Sequence, residues 1–277
     1  MKAIIYAVGG TGKKIYHELK ENNDVNIIAF SDANSEYWET CLYGIKIINP
    51  CEINKYDYDK IIIGTIADKD ISRKLENSFG IPKEKIDMSY VDFSPIINRI
   101  KFLQSFSKIV YDKNIIGNVA EGGVFMGDFA KEINKNFPDR TLYLFDTFEG
   151  FSQKDVEKEQ KEGFSKYKAG HYKTTEEIVK SVLPYPEKVI IRKGYFPETA
   201  EKTDDKFVFV NLDFDLYNPT LAGLEFFYPK MVHGGVILVH DYFTDVFKGV
   251  QKAVDEFCEK NNLVCVPIAD ELSVVIV

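Results

Sequence analysis

Two short stretches bring acids and an imidazole to places where they could act together. In V-F-V-N-L-D-F-D-L-Y-N-P-T, Asp213 and Asp215 follow an apolar run, and in G-G-V-I-L-V-H-D-Y, His240 and Asp241 follow another. Each run reads as a buried strand of a parallel sheet. The polar residues then fall at the carboxyl tips, the edge where open α/β sheets bind ligands. Acids ending a buried strand are costly unless they are paired or bind something. Two chemistries suit this set. Three acids near one another repel and need a cation, and Asp213, His240 and Asp241 could hold one that makes a bound hydroxyl more acidic. Alternatively His240, with an ordinary imidazole pKa of about 6.5, takes a proton directly while an aspartate orients it. The bland alternative is a solvated strand tip with a capping aspartate.

A second pair of stretches has the form of a binding site. N-V-A-E-G-G-V-F-M-G-D-F-A-K-E-I carries an apolar run to Glu121, then Gly122, Gly123 and Gly127, then a helical pattern through Phe129, Ile133 and Phe137. L-Y-L-F-D-T-F-E-G-F follows, with an apolar run that ends on Asp146. Strand, glycine turn, helix, strand, acid is half of a nucleotide-binding sheet. Glycines let a ligand lie against backbone, and free amides at a helix start can hold a carboxylate. An acid at the second strand tip can accept from two ribose hydroxyls. The spacing E-x-G-x-x-x-G is not the dinucleotide fingerprint G-x-G-x-x-G. It suits a ligand with a ribose and an amino-acid tail but no pyrophosphate, which points to S-adenosylmethionine.

These residues need a scaffold, and the second part of the chain supplies a regular alternation. Strands are predicted at residues 118–120, 142–146, 189–193, 207–213, 235–241, 263–268 and 273–277, with helices between the first six. Only residues 269–272 separate the last two strands, too few for a crossover helix, so these must be antiparallel neighbours. Seven strands with the last one reversed is the α/β arrangement of the class I methyltransferases. Residues 152–173 show no periodicity and read as a long loop beside the site, either a lid or a solvated surface. Phe164, Tyr167, His171 and Tyr172 make it more aromatic than a spacer requires.

Residues 1–94 repeat the pattern on a smaller scale. A strand over 2–8 leads to Gly9-Gly10-Thr11-Gly12, a helix to about Lys20, and a strand over 25–30 that ends at Ser31-Asp32. The third glycine of a dinucleotide fingerprint would fall at Ile15. We read this stretch as a Rossmann-like α/β domain that serves packing, assembly or acceptor geometry, rather than as an NAD(P) site. The domain boundary is placed between residues 94 and 95.

The motifs E-G-G-V-F-M-G-D-F-A, L-F-D-T-F-E-G-F, K-G-Y-F-P-E-T, L-D-F-D-L-Y-N-P-T and G-G-V-I-L-V-H-D-Y, in this order, resemble the macrocin O-methyltransferase (TylF/MycF type) family over residues 97–277. The resemblance implies methyl transfer from S-adenosylmethionine to a sugar hydroxyl, assisted by magnesium in the antibiotic-tailoring members. By the same resemblance Glu121, Gly122, Gly123, Asp146, Thr147 and Phe148 belong to the cofactor site, with Gly194, Tyr195 and Phe196 near the adenine. Asp213, His240 and Asp241 fall where those members hold the metal. His240 departs from the family, which carries aspartate there. Magnesium prefers oxygen ligands, so manganese or another ion that tolerates imidazole becomes a rival.

The chain has 277 residues, 45% of them hydrophobic and 28% charged, with a formal net charge of −8. That charge argues against nucleic acid or an anionic membrane surface as partner. No apolar run reaches the roughly 18 residues of a membrane span. Cys41, Cys51, Cys258 and Cys265 lack zinc-site spacing and read as reduced thiols. The expectation is a cytoplasmic sugar O-methyltransferase acting on a nucleotide-activated sugar or a surface polysaccharide, with a homo-oligomer left open. The competing readings are a catechol-like small-molecule O-methyltransferase and a non-catalytic nucleotide-binding module.

Overall fold

Runs such as K-A-I-I-Y, K-I-I-I and F-V-F-V-N-L become the inner strands of two sheets in the computed structural model, which describes residues 1–21, 24–65, 68–201 and 203–277. The chain divides into two compact units, Met1–Phe93 and Ser94–Val277.

The first unit runs β1 (Lys2–Tyr6), α1 (Gly10–Lys20), β2 (Asn26–Ser31), β3 (Cys41–Leu42), β4 (Ile45–Ile48), β5 (Lys60–Ile63), α2 (Asp68–Phe79) and β6 (Ile86–Asp87). Its sheet has the order β3-β4-β2-β1-β5-β6, parallel except for the β3–β4 hairpin. The glycine turn after β1 packs helix on sheet. A Cβ at Gly12 would lie 2.0 Å from the carbonyl oxygen of Ala7, and Ile15 is buried in the core of this unit. Asp32 ties the same turn to the tip of β2, accepting from the amides of Val8 at 2.9 Å and Asn34 at 2.8 Å.

The second unit opens with α3 (Ser94–Asp112) and β7 (Asn118–Gly122), followed by α4 (Asp128–Asn136), β8 (Leu142–Asp146), α5 (Gln153–Glu162), α6 (Glu176–Val182) and β9 (Val189–Lys193). It continues with β10 (Phe207–Leu212), α7 (Tyr217–Phe227), β11 (Met231–Val239), α8 (Lys248–Asn261), β12 (Val266–Pro267) and β13 (Val274–Ile276). The strand order is β12-β13-β11-β10-β7-β8-β9. Every residue of the central strand β10 is buried, with one apolar cluster on each face of the sheet. As expected from the short connection, β13 is antiparallel to both β11 and β12.

Two expectations fail. Among the described residues between β9 and β10 the chain makes a single 3₁₀ turn, Glu198–Ala200, where a helix was expected. Residues 152–173 are not a continuous loop, because their first half is α5. The Ser152 hydroxyl caps that helix by accepting from Asp155 N at 3.2 Å, and Gly163 closes it in the left-handed region at φ 70°. Among the described residues, no helix is long and apolar enough to cross a membrane.

Candidate active site

Register brings the site together. Leu212 pairs with both Gly122 and Val239, Gly122 with Phe145, and Phe145 with Arg192. The next residue on each strand therefore joins one row along the carboxyl edge: His240, Asp213, Gly123, Asp146, Lys193. Backbone bonds continue the ladder into that row, from Asp213 N to Gly122 O (2.7 Å), His240 N to Leu212 O (2.9 Å), Gly123 N to Phe145 O (2.9 Å) and Gly194 N to Asp146 O (2.9 Å). Neighbouring tips stand as close as the sheet allows. Gly123 has φ 79°, and a Cβ there would lie 2.0 Å from the Asp213 carbonyl oxygen. The glycine turn thus answers first to the adjacent strand, and only then to any ligand.

Asp146 organises the turn. Its Oδ2 accepts from the amides of Val124 (2.7 Å) and Phe125 (3.1 Å), and its Oδ1 from Phe148 N (2.7 Å). A carboxylate offers about four acceptor positions, so capacity for a hydroxyl remains. In front of it opens a cleft of about 610 Å³, counting space shared with solvent. Of the predicted cofactor residues, Gly123, Asp146, Thr147, Gly194, Tyr195 and Phe196 line it. Glu121 and Phe148 are buried, each about 1% exposed. Gly122 packs against the Phe214 ring, which leaves no room for a Cβ.

One ligand atom each from Asp213, His240 and Asp241 lies within 4.8 Å of the others. His240 Nε2 stands 3.8 Å from Asp241 Oδ1. Arg99 is buried and donates to Asp213 Oδ2 at 2.8 Å and to Asn211 Oδ1 at 3.1 Å, its guanidinium lying 4.1 Å from the centre of the Phe129 ring. Asn211 in turn donates to Glu121 Oε1 at 2.8 Å, while Glu121 Oε2 is buried without a hydrogen-bond partner. Burial, and then the charge of Asp213, push the Glu121 carboxyl well above the usual carboxylate range. Burial also works to raise Asp213, but His240 and Arg99 outweigh it and hold the group below its ordinary value. Asp215 goes the other way, raised well above the usual range by burial and by the neighbouring charges of Asp241 and Asp213. Asp215 and Asp241 both sit in the left-handed region, at φ 63° and 60°, a conformation that aspartate tolerates better than most residues. Two carboxylates and an imidazole, with excess negative charge only partly met by Arg99, fit a divalent cation that accepts nitrogen.

Two participants, Arg99 and Asp155, escaped sequence reasoning, while Tyr172 belongs to the aromatic stretch expected beside the site. Arg99 is in phase with Leu103, Phe106 and Val110 on the buried face of α3, and a charge on an apolar stripe was the available signal. Asp155 lines the cleft from α5 and accepts from Tyr195 Oη (3.0 Å), Asn218 Nδ2 (2.8 Å) and Ser152 Oγ (2.6 Å). Tyr172 lines the cleft in edge contact with Phe125, ring centres 5.0 Å apart, and burial and the nearby Asp215 raise its phenol pKa.

The sequence profile described as Macrocin-O-methyltransferase (TylF) matches residues 68–272, and one described as C2185-like, N-terminal, matches residues 1–87. The chain is 28% identical over 191 residues to demethyldecarbamoylnovobiocin O-methyltransferase of Streptomyces niveus, covering 64% of this chain and 69% of the relative. Among solved structures it is similar to CalS11, calicheamicin methyltransferase, with a TM-score of 0.57, 21% identity, and coverage of 76% of this chain and 90% of the other. The apo structure of CalS11, described as a TDP-rhamnose 3'-O-methyltransferase, gives a TM-score of 0.50 at 18% identity over 77% of this chain and 93% of the other. These structural likenesses carry the fold, a class I methyltransferase sheet built as expected. The profile that spans most of the chain carries more: this protein belongs to the macrocin-O-methyltransferase (TylF) family and is an S-adenosylmethionine-dependent O-methyltransferase.

Proposed function

We propose that the chain methylates a sugar hydroxyl, the sugar being carried on a nucleotide or belonging to a surface polysaccharide. The observation that carries this reading is the His240–Asp213–Asp241 cluster at the end of the row that also forms the cofactor cleft. Asp213 belongs both to this cluster and to the lining of the cleft, which supports a proton-accepting or cation-holding centre next to the methyl donor. Relatives support the acceptor class, since CalS11 is described as a TDP-rhamnose 3'-O-methyltransferase.

Methyl transfer from a sulfonium is an in-line displacement that needs oxygen and methyl within about 3–3.5 Å. Asp146 accepts from the ribose, Gly123 lets the methionine part pass close to backbone, and Tyr195 and Phe196 wall the adenine. Asp213, His240 and Asp241 would hold a divalent cation, which would make the acceptor hydroxyl more acidic. Asp215, its carboxyl pKa raised by burial and by the charges of Asp241 and Asp213, adds a group that favours its proton beside them. Phe125 and Tyr172 offer ring faces to the sugar at the cleft mouth. Residues 95–277 carry this chemistry, and residues 1–94 support assembly or acceptor geometry. The reaction belongs in the cytoplasm, a reducing compartment that suits the exposed free thiols of Cys41 and Cys51.

The test is turnover with nucleotide sugars in the presence of EDTA. Activity that vanishes and returns with manganese or magnesium supports the cation. Chelator-resistant activity that is lost in His240→Ala makes the imidazole the direct base. Full activity in both Asp213→Asn and His240→Ala rejects the cluster as the catalytic centre. Turnover of small phenols but of no sugar rejects the acceptor class.

A further inference from the structure

Antiparallel pairing sets Val274 of β13 beside Val239 of β11, which carries Ser273 to the side of His240. The Ser273 Oγ lies 2.9 Å from His240 Nδ1. Ser273 gives its own proton elsewhere, donating to Oδ2 of Asp270. The Asp270 Oδ1 accepts from the amides of Leu272 at 3.1 Å and Ser273 at 2.7 Å, the pattern of a carboxylate acting only as acceptor. Asp270 and Ser273 are 1% and 0% exposed, so no water competes for these bonds. A hydroxyl has one hydrogen to donate. With that hydrogen on Asp270, the serine oxygen meets the imidazole as an acceptor, and Nδ1 must be the protonated nitrogen of the neutral ring. Nε2 then carries the lone pair, and Nε2 is the atom that faces Asp241.

We propose that Asp270 and Ser273 are positioning residues that lock His240 in its Nδ1–H tautomer, so that Nε2 presents its lone pair to the acceptor hydroxyl or to the cation that holds it. This rests on the reading of the cluster as the catalytic centre. A free neutral histidine prefers the opposite tautomer, so the lock is a departure that can be measured. An imidazole shows only one lone pair, and something must choose which nitrogen bears it.

The tautomer is read by long-range proton–nitrogen NMR on protein labelled with ¹⁵N-histidine at about pH 8, above the ordinary imidazole pKa of about 6.5. His240 is picked out of the four histidines by comparison with His240→Gln. The expected wild-type spectrum shows His240 protonated on Nδ1. In Ser273→Ala the ring shifts towards Nε2–H, and kcat falls on the order of 10- to 100-fold while affinity for S-adenosylhomocysteine stays the same. Ser273→Thr, which keeps the hydroxyl, restores both the tautomer and kcat. A wild-type His240 protonated on Nε2 overturns the proposal whatever the activity. So does a Ser273→Ala protein whose tautomer switches while kcat holds. A locked Nδ1–H tautomer in a protein that methylates no sugar supports the lock and rejects the sugar reading alone.

Discussion

Asp146 and Glu121 lie one strand apart and meet opposite demands. The Asp146 carboxylate gathers the amides of Val124, Phe125 and Phe148, charge-assisted bonds that shape the turn before any ribose arrives. Asp146→Ala is expected to weaken S-adenosylhomocysteine binding by about 1.5–3 kcal/mol, roughly tenfold to a hundredfold, and to lower the melting temperature of the free protein as well. Calorimetry showing unchanged affinity would place the cofactor elsewhere. Glu121 instead has a buried oxygen without a partner and a carboxyl pKa pushed upward by burial. A folded-state pKa above the unfolded value of about 4.3 means that ionising the group costs stability. The cost is absent below the unfolded pKa and grows as pH rises through the folded one. Glu121→Gln should therefore raise the melting temperature, more at pH 8 than near pH 4, by about 2–4 °C for each kcal/mol recovered. A gain of equal size at both pH values in thermal unfolding would show that the carboxyl is not the cause. Asp146 was legible in the sequence because a strand tip after an apolar run announces itself. The strain on Glu121 was not, because it depends on Asn211 and Asp213 across the sheet.

The strands of both units were legible for a simple reason: parallel strands buried on both faces read as unbroken apolar runs. The strands β3 and β6 are two residues long each and carry no pattern to read. The α5 helix failed for a different reason. Its buried face is Asp155, Val156 and Glu159, so hydrophobic periodicity shows one residue where the fold uses three. Asp155 is matched by Tyr195, Asn218 and Ser152, and Glu159 by the amide of Tyr217 at 2.8 Å. Such partners are distant in sequence and invisible to a moving window. The helix depends on its caps and on these bonds more than on apolar area. Removing the Ser152 cap with Ser152→Ala should cost about 1 kcal/mol and speed proteolysis between Gln153 and Gly163. Urea unfolding at an unchanged midpoint, with unchanged cleavage, would mean that the cap contributes nothing.

At the level of the molecule, the two units pose a question that the row of site residues does not answer, because every member of that row lies in Ser94–Val277. A fragment of residues 94–277 is expected to bind S-adenosylhomocysteine by calorimetry. It should also lose turnover on the order of tenfold to a hundredfold through a misplaced acceptor, or change its oligomeric state in light scattering. Full activity with the same assembly would deny the first unit both roles. The placement of β13 inside the sheet, between β11 and β12, has a consequence for how the protein is made. It is the last of the seven strands to leave the ribosome, and Ser273 leaves just before it. A nascent chain can form β7 to β10 and close the cofactor cleft while β11 still has an open edge and His240 has no serine beside it. The strands that line the cleft can therefore pair before Ser273 reaches His240, and a stop codon in place of Ser273 is expected to yield a chain that binds S-adenosylhomocysteine in calorimetry but has lost turnover.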